Sequence, residues 1–293
     1  MSEVTAQVFI DCRNMLGEGP IWHSDRQQLF WFDISNHKLY CANATGDILD
    51  SWEFDEYAAA AAVVDANTLL IFTATKLVKL DLETGERETV LPVEADNAAT
   101  RSNDSRVNFA GGFWLGTMGV DAAEGAGSVY QFRDGTLTTI MTDISIPNAT
   151  CFTPDGKRAY WGDTKTNKII TCTLDPDTGL PNGPWETHID TSGHRGSPDG
   201  AVLDSEGYLW SARWGGGCVV RHAPDGSVDR IVEVPGATNI TCPCFGGPEL
   251  KTLYITTARE GLSEAQLEAQ PHAGSIFSIE LDVAGLPENR VRL

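Results

Sequence analysis

The sequence predicts an all-β chain folded as a six-bladed β-propeller. Three observations carry the prediction. A short aromatic and aliphatic strand signal recurs six times. Polar hairpin turns divide the strands that follow it. Successive copies stand about 40 to 50 residues apart, the period of one four-stranded blade.

The first strand signals are Leu29-Phe30-Trp31-Phe32, Leu69-Leu70-Ile71-Phe72, Phe113-Trp114-Leu115, Ala159-Tyr160-Trp161, Tyr208-Leu209-Trp210 and Leu253-Tyr254-Ile255. Each is followed by a second run: Lys38-Leu39-Tyr40, Lys76-Leu77-Val78, Ser128-Val129-Tyr130, Lys168-Ile169-Ile170, Cys218-Val219-Val220 and Ser275-Ile276-Phe277. Turns such as Thr45-Gly46, Thr84-Gly85, Asp134-Gly135, Thr178-Gly179 and Asp225-Gly226 place glycine where positive φ carries no Cβ clash. A lone blade cannot bury both faces, and stacking blades about an axis solves that. Six copies fill residues 1–293 as one domain, with a strand near Gln7 to Asp11 expected to complete the last blade and close the ring. A pair of β-sandwiches gives a regular sixfold recurrence no role. Ala58 to Ala62 has helical propensity, but its place between strand signals predicts a buried strand. Leu262 to Gln270 reads as a short surface helix.

The formal net charge of −20 and a pI near 4.5 argue against nucleic acid and anionic membrane surfaces as partners. Met1 to Ile10 lacks the basic and apolar regions of a signal peptide, and no apolar run approaches the roughly 18 residues of a transmembrane helix. Seven cysteines without a regular framework read as packed thiols in a reducing cytoplasm. Cys242-Pro243-Cys244 has no second pair at zinc-ligand spacing.

Propeller ligands bind where loops from several blades converge, so polar residues beside the inner strands are the candidates. Four places qualify: Gly17-Glu18-Gly19-Pro20, Arg101-Ser102-Asn103-Asp104, Pro147-Asn148-Ala149 and Pro198-Asp199-Gly200. They lie about 45 to 85 residues apart, in different blades. Oxygen donors such as Glu18, Asn148 and Asp199 suit one hard or borderline divalent cation: Ca²⁺, Mg²⁺, Mn²⁺, Zn²⁺ or Fe²⁺. Taken singly, each segment is equally a loop or turn. Pro-Asp-Gly also occurs at 154–156 and 224–226. The six histidines are scattered. His194 reads as a solvated loop residue, and Trp214 is the tryptophan best placed to stack on a sugar ring.

Together these motifs resemble the senescence-marker-protein/gluconolactonase family, the regucalcin-like sugar lactonases, in their bacterial aldonolactonase form. The likeness runs from Leu16-Gly17-Glu18-Gly19-Pro20 through Asn103-Asp104, Gly116-Thr117-Met118, Pro147-Asn148, Pro198-Asp199-Gly200 and Phe245-Gly246-Gly247-Pro248 to Gly274-Ser275-Ile276-Phe277. The resemblance implies metal-dependent hydrolysis of an aldonolactone in sugar catabolism by a monomer or weak homodimer. It implies Glu18, Asn148 and Asp199 as metal ligands, Asp199 also as general base, and Arg101, Asn103 and Asp121 at the sugar. Ala149 stands where the family often has glycine, which implies a changed turn or a narrower pocket. Ser102 stands where phenylalanine or proline is common, which bears on the sugar subsite. Two other functions share the motifs: a metal-dependent esterase or organophosphatase, and a non-catalytic metal-binding regulatory propeller.

Overall fold

The structure is a computed structural model and describes residues 2–293. Six sheets, each with an antiparallel four-stranded core, surround one axis. Their innermost strands, in blade order, are Gly17–His23, Ala58–Val63, Thr100–Val107, Pro147–Phe152, Ser197–Leu203 and Ile240–Gly246. The ring closes as expected: Gln7–Ile10 pairs antiparallel with Ile276–Glu280 as the outer strand of blade six. An unanticipated strand, Ser2–Thr5, pairs in parallel with Val228–Glu233 and makes blade five five-stranded.

Alternation along each strand sends side chains to opposite faces, and the core fills the clefts between blades. Phe30, Phe32 and Leu39 meet Ala59, Ala61, Leu69 and Ile71 in one such layer. The run Ala58–Val63 is a wholly buried strand, so its helical propensity yields to tertiary packing. Small residues suit this place because inner strands crowd near the axis. A Cβ on Gly19, whose φ is +54°, would stand 2.2 Å from the Ala59 carbonyl oxygen. The surface helix forms at Glu264–Ala269 behind a Ser263/Gln266 capping box. Trp22, Trp31, Trp114 and Trp210 are fully buried. All seven thiols are free; Cys12 is half-buried and the other six are buried. Among the described residues no helix is long and apolar enough to cross a membrane.

The C-terminal segment crosses the mouth at the C-terminal ends of the inner strands. Val291 N–H donates to Val63 O (3.0 Å), Asn289 Nδ2 to Val107 O (3.0 Å), and Arg106 pairs with Glu288 at 2.9 Å. The opposite mouth, at the N-terminal ends, carries the polar motifs.

Candidate active site

All six inner strands break register at the same level. The shifts fall between Glu18 and Ile21, Ala58 and Ala60, Ser102 and Ser105, Asn148 and Cys151, Pro198 and Ala201, and Ile240 and Pro243. Bulges of this kind re-aim side chains. Here they turn Asn103 and Asp199 out of the ladder, while Glu18 and Asn148 stand one residue before the bulge. The three Pro-Asp-Gly segments thereby part ways. Those at 154–156 and 224–226 are turns with Gly156 and Gly226 at φ +68° and +86°, whereas Pro198, Asp199 and Gly200 lie buried within a strand.

Glu18, Arg101, Asn103, Asn148 and Asp199 line one cavity of about 670 Å³, counting its open mouth, with Leu16, Met118, Ile146, Thr164, Trp214 and Glu260 among the other walls. Glu18, Asn148 and Asp199 are 7%, 2% and 4% exposed, so their polar atoms must find partners inside the protein or in a ligand. Asp121 stands at the edge of the cavity, one residue from its wall residue Ala122. It is exposed on a turn, its Oδ1 accepts the Ala123 N–H at 3.1 Å, and it does not line the cavity. His194 is exposed and does not line it either. Ala149 adopts the left-handed conformation (φ +57°) that glycine would take. Its methyl packs with Cys151, Tyr160 and Ala201 rather than lining the cavity, so it does not narrow the pocket.

A chain of hydrogen bonds sets the orientation of Asn148. Its Nδ2 donates to Thr164 Oγ1 (2.8 Å), and that hydroxyl donates to Pro198 O (2.8 Å). The Asn148 Oδ1 is buried without a hydrogen-bond partner. Arg101 donates one Nη to Asn103 Oδ1 and to Ser102 O, both at 2.9 Å, and Asn103 Nδ2 donates to Pro147 O (2.9 Å).

The carboxylates are frustrated. Burial pushes Glu18 up to about 8, and Asp104 and Glu260 add to the rise, against the Gly19 N–H and Arg101. Burial, then Glu18 and Asp104, holds Asp199 well above the usual carboxylate range. Asp104 lies in the channel below and is also raised by burial, against the Thr150 N–H at 2.8 Å from its Oδ2. A divalent cation reverses this frustration, because the repelling charges become its ligands. Two carboxylates and an orphaned amide oxygen fit that group. Among the described residues no group of three His, Cys, Asp or Glu is placed to hold a metal ion.

A pH dependence follows for the metal-free protein. The neutral form of Glu18 is favoured in the fold, with its pKa raised from 4.5 to about 8. The stability it contributes is present in full below 4.5 and is lost as pH rises toward 8. The melting temperature of the stripped protein should fall over that interval, and an added divalent cation should restore it, more so at higher pH. A melting temperature independent of pH across the interval would remove the charge frustration from the account.

Thr164 and Glu260 escaped the sequence reading. Thr164 leaves a trace: Trp31-Phe32-Asp33-Ile34 and Trp161-Gly162-Asp163-Thr164 are equivalent stretches, each with its Asp capping two backbone N–H groups of the preceding segment. Aligning them sets a polar Thr164 where buried Ile34 stands.

Comparisons with known proteins identify the family. Residues 16–259 match the family described as SMP-30/Gluconolactonase/LRE-like region. An L-arabinolactonase of Azospirillum brasilense is 35% identical, covering 97% of this chain and 95% of its own. A pentonolactonase of Haloferax volcanii is 34% identical, covering 98% and 97%. A solved calcium-binding protein, regucalcin, from Agrobacterium tumefaciens superposes with a TM-score of 0.96 at 37% identity, covering 100% of this chain and 99% of the other. The chain therefore belongs to the SMP-30/gluconolactonase/LRE-like family.

Proposed function

We propose that this protein hydrolyses a sugar lactone to the aldonic acid, using one divalent cation held by Glu18, Asn148 and Asp199. The observation that carries this reading is the orphaned Asn148 Oδ1, buried beside Glu18 and Asp199 in a cavity that also presents Arg101 and Asn103. When bound, the cation supplies Lewis acidity toward the lactone carbonyl and positive charge beside the oxygen that becomes anionic.

The chain's own residues do the rest. An Asp199 carboxylate oxygen takes a proton from the attacking water as the new C–O bond forms. The ring C–O bond then breaks, and that proton passes to the departing ring oxygen, giving a hydroxy acid with one water consumed. Arg101, fixed through Asn103 and the Ser102 carbonyl, keeps its remaining N–H groups for the sugar and holds the ring in register. Trp214 and Ile146 offer apolar wall to the ring's C–H face. Asp121, exposed outside the cavity, is proposed to reach substrate only at the rim.

The class of substrate is tested by comparing kcat/KM for pentono- and hexonolactones with that for aryl acetates on metal-loaded protein. Lactones should lead by about 100-fold or more, since hydroxyl-binding groups left unpaired by an aryl ester weigh against it. Aryl esters turned over as well as every lactone would place the protein among general esterases.

A further inference from the structure

Glu260 belongs to the cavity wall but not to the proposed ligand set or to the water-activating machinery. It sits three residues past Thr252–Thr257, the second strand of blade six counted from the axis, and is fixed from three sides. Its N–H donates to Met15 O (2.9 Å), its carbonyl accepts Asn239 Nδ2 (3.0 Å), and its Oε2 accepts the Ser35 hydroxyl (2.7 Å). Its Oε1 makes no hydrogen bond among the described residues. A half-buried carboxylate anchored in this way is held at the rim of the site rather than waving in solvent.

The charges of the cavity show what it does there. Glu18 and Asp199 offset a divalent cation. That leaves one positive group on the wall, Arg101, and Glu260 lines the same cavity, so its charge acts on Arg101 through space without a direct ion pair. Asp104 adds a further negative group below. With the cation in place, no positive charge is left over for a substrate.

We infer that Glu260 is a specificity-determining residue that offsets Arg101 and so restricts the cavity to uncharged, polyhydroxylated lactones. This inference rests on the lactonase reading and adds the charge class of the substrate. An anchored carboxylate with a free oxygen accepts hydrogen bonds from sugar hydroxyls, and those bonds are charge-assisted. The same carboxylate meets a terminal phosphate or sulfonate with like charge and offsets, through space, the attraction of Arg101. Discrimination of this sort works by repulsion as well as attraction.

The test uses metal-loaded full-length protein, a neutral hexonolactone and its terminally phosphorylated counterpart, with kcat and KM measured for each. In Glu260→Gln the ratio of kcat/KM for the phosphorylated over the neutral lactone should rise by roughly tenfold or more, because a like charge is removed and the charge of Arg101 is no longer offset. The gain should come mainly from a lower KM for the anion. Glu260→Asp keeps the charge and shortens the reach, so it should reject the anion as the parent does while its KM for the neutral lactone rises. Calorimetry should find one bound cation in all three proteins. A Glu260→Gln ratio within about twofold of the parent's, with neutral-lactone turnover and cation binding intact, would overturn the assignment. Failure of the parent itself on every lactone despite a bound cation would overturn the lactonase reading, and this inference with it.

Discussion

Asp199→Asn is expected to lower kcat for the preferred lactone by about 10³-fold or more, the upper part of the range for losing a positioned general base. The change is nearly isosteric at a site only 4% exposed, so packing survives it. An asparagine keeps an oxygen that can ligate a cation but cannot take a proton from water. The loss should therefore appear in kcat measured at saturating cation, where calorimetry still detects a bound ion, more weakly held than in the parent, and the metal-free melting temperature does not fall below the parental value. A fully active Asp199→Asn protein would assign water activation elsewhere. Asp104, the neighbouring carboxylate below, would be the next residue to test.

Glu18→Gln is expected to have two effects of opposite sign. Removing one of two anionic ligands should weaken divalent-cation affinity by at least about 100-fold, the upper end of what losing a mere supporting contact costs. The metal-free protein should become more stable near pH 8. There the parent holds a buried Glu18 under pressure from Asp104 and Glu260, while a neutral amide feels none. Weaker metal binding together with a higher apo melting temperature marks a residue kept for function at the expense of the fold. A Glu18→Gln protein that loses apo stability, or binds the cation as tightly as the parent, would contradict the assignment of Glu18 as a ligand that the apo fold resists.

The fold was legible because a propeller repeats its instructions. Six strand signals at blade spacing, each followed by a second run, with Gly turns between them, identify the blades, and Gln7–Ile10 closes the ring where the leftover N-terminal signal lies. The run at Ala58–Val63 shows why context outweighs propensity: the strand is buried throughout, and at Ala59 the neighbouring inner strand approaches so closely that only glycine fits at position 19. The extra parallel strand Ser2–Thr5 was not legible, since an edge addition leaves no periodicity of its own.

The site was legible where a motif implied it and silent where geometry alone decides. Glu18, Arg101, Asn103, Asn148 and Asp199 converge because Asn103 and Asp199 sit in the bulges of their inner strands and the others stand one or two residues before one, and bulges carry no pattern in a single sequence. Only the fold separates Asp199 from Asp155 and Asp225, which occupy the same tripeptide in turns. Glu260 reaches the cavity through the packing of blade six against blade one, a relation no local spacing encodes. Asp121, placed by its distance from Gly116-Thr117-Met118, lies on an exposed turn at the cavity's edge, where Ala122 rather than Asp121 lines the wall.

Metal removal and restoration on the purified protein tests metal-dependent lactone hydrolysis most directly. Stripped protein is mixed with a panel of pentono- and hexonolactones, and acid release is followed as Ca²⁺, Mg²⁺, Mn²⁺, Zn²⁺ or Fe²⁺ is added singly. The account predicts no acid release above the spontaneous rate without metal, and hydrolysis of one or two lactones restored at one cation per chain. Full activity in the stripped protein, or none with any cation that calorimetry shows to be bound, would contradict it.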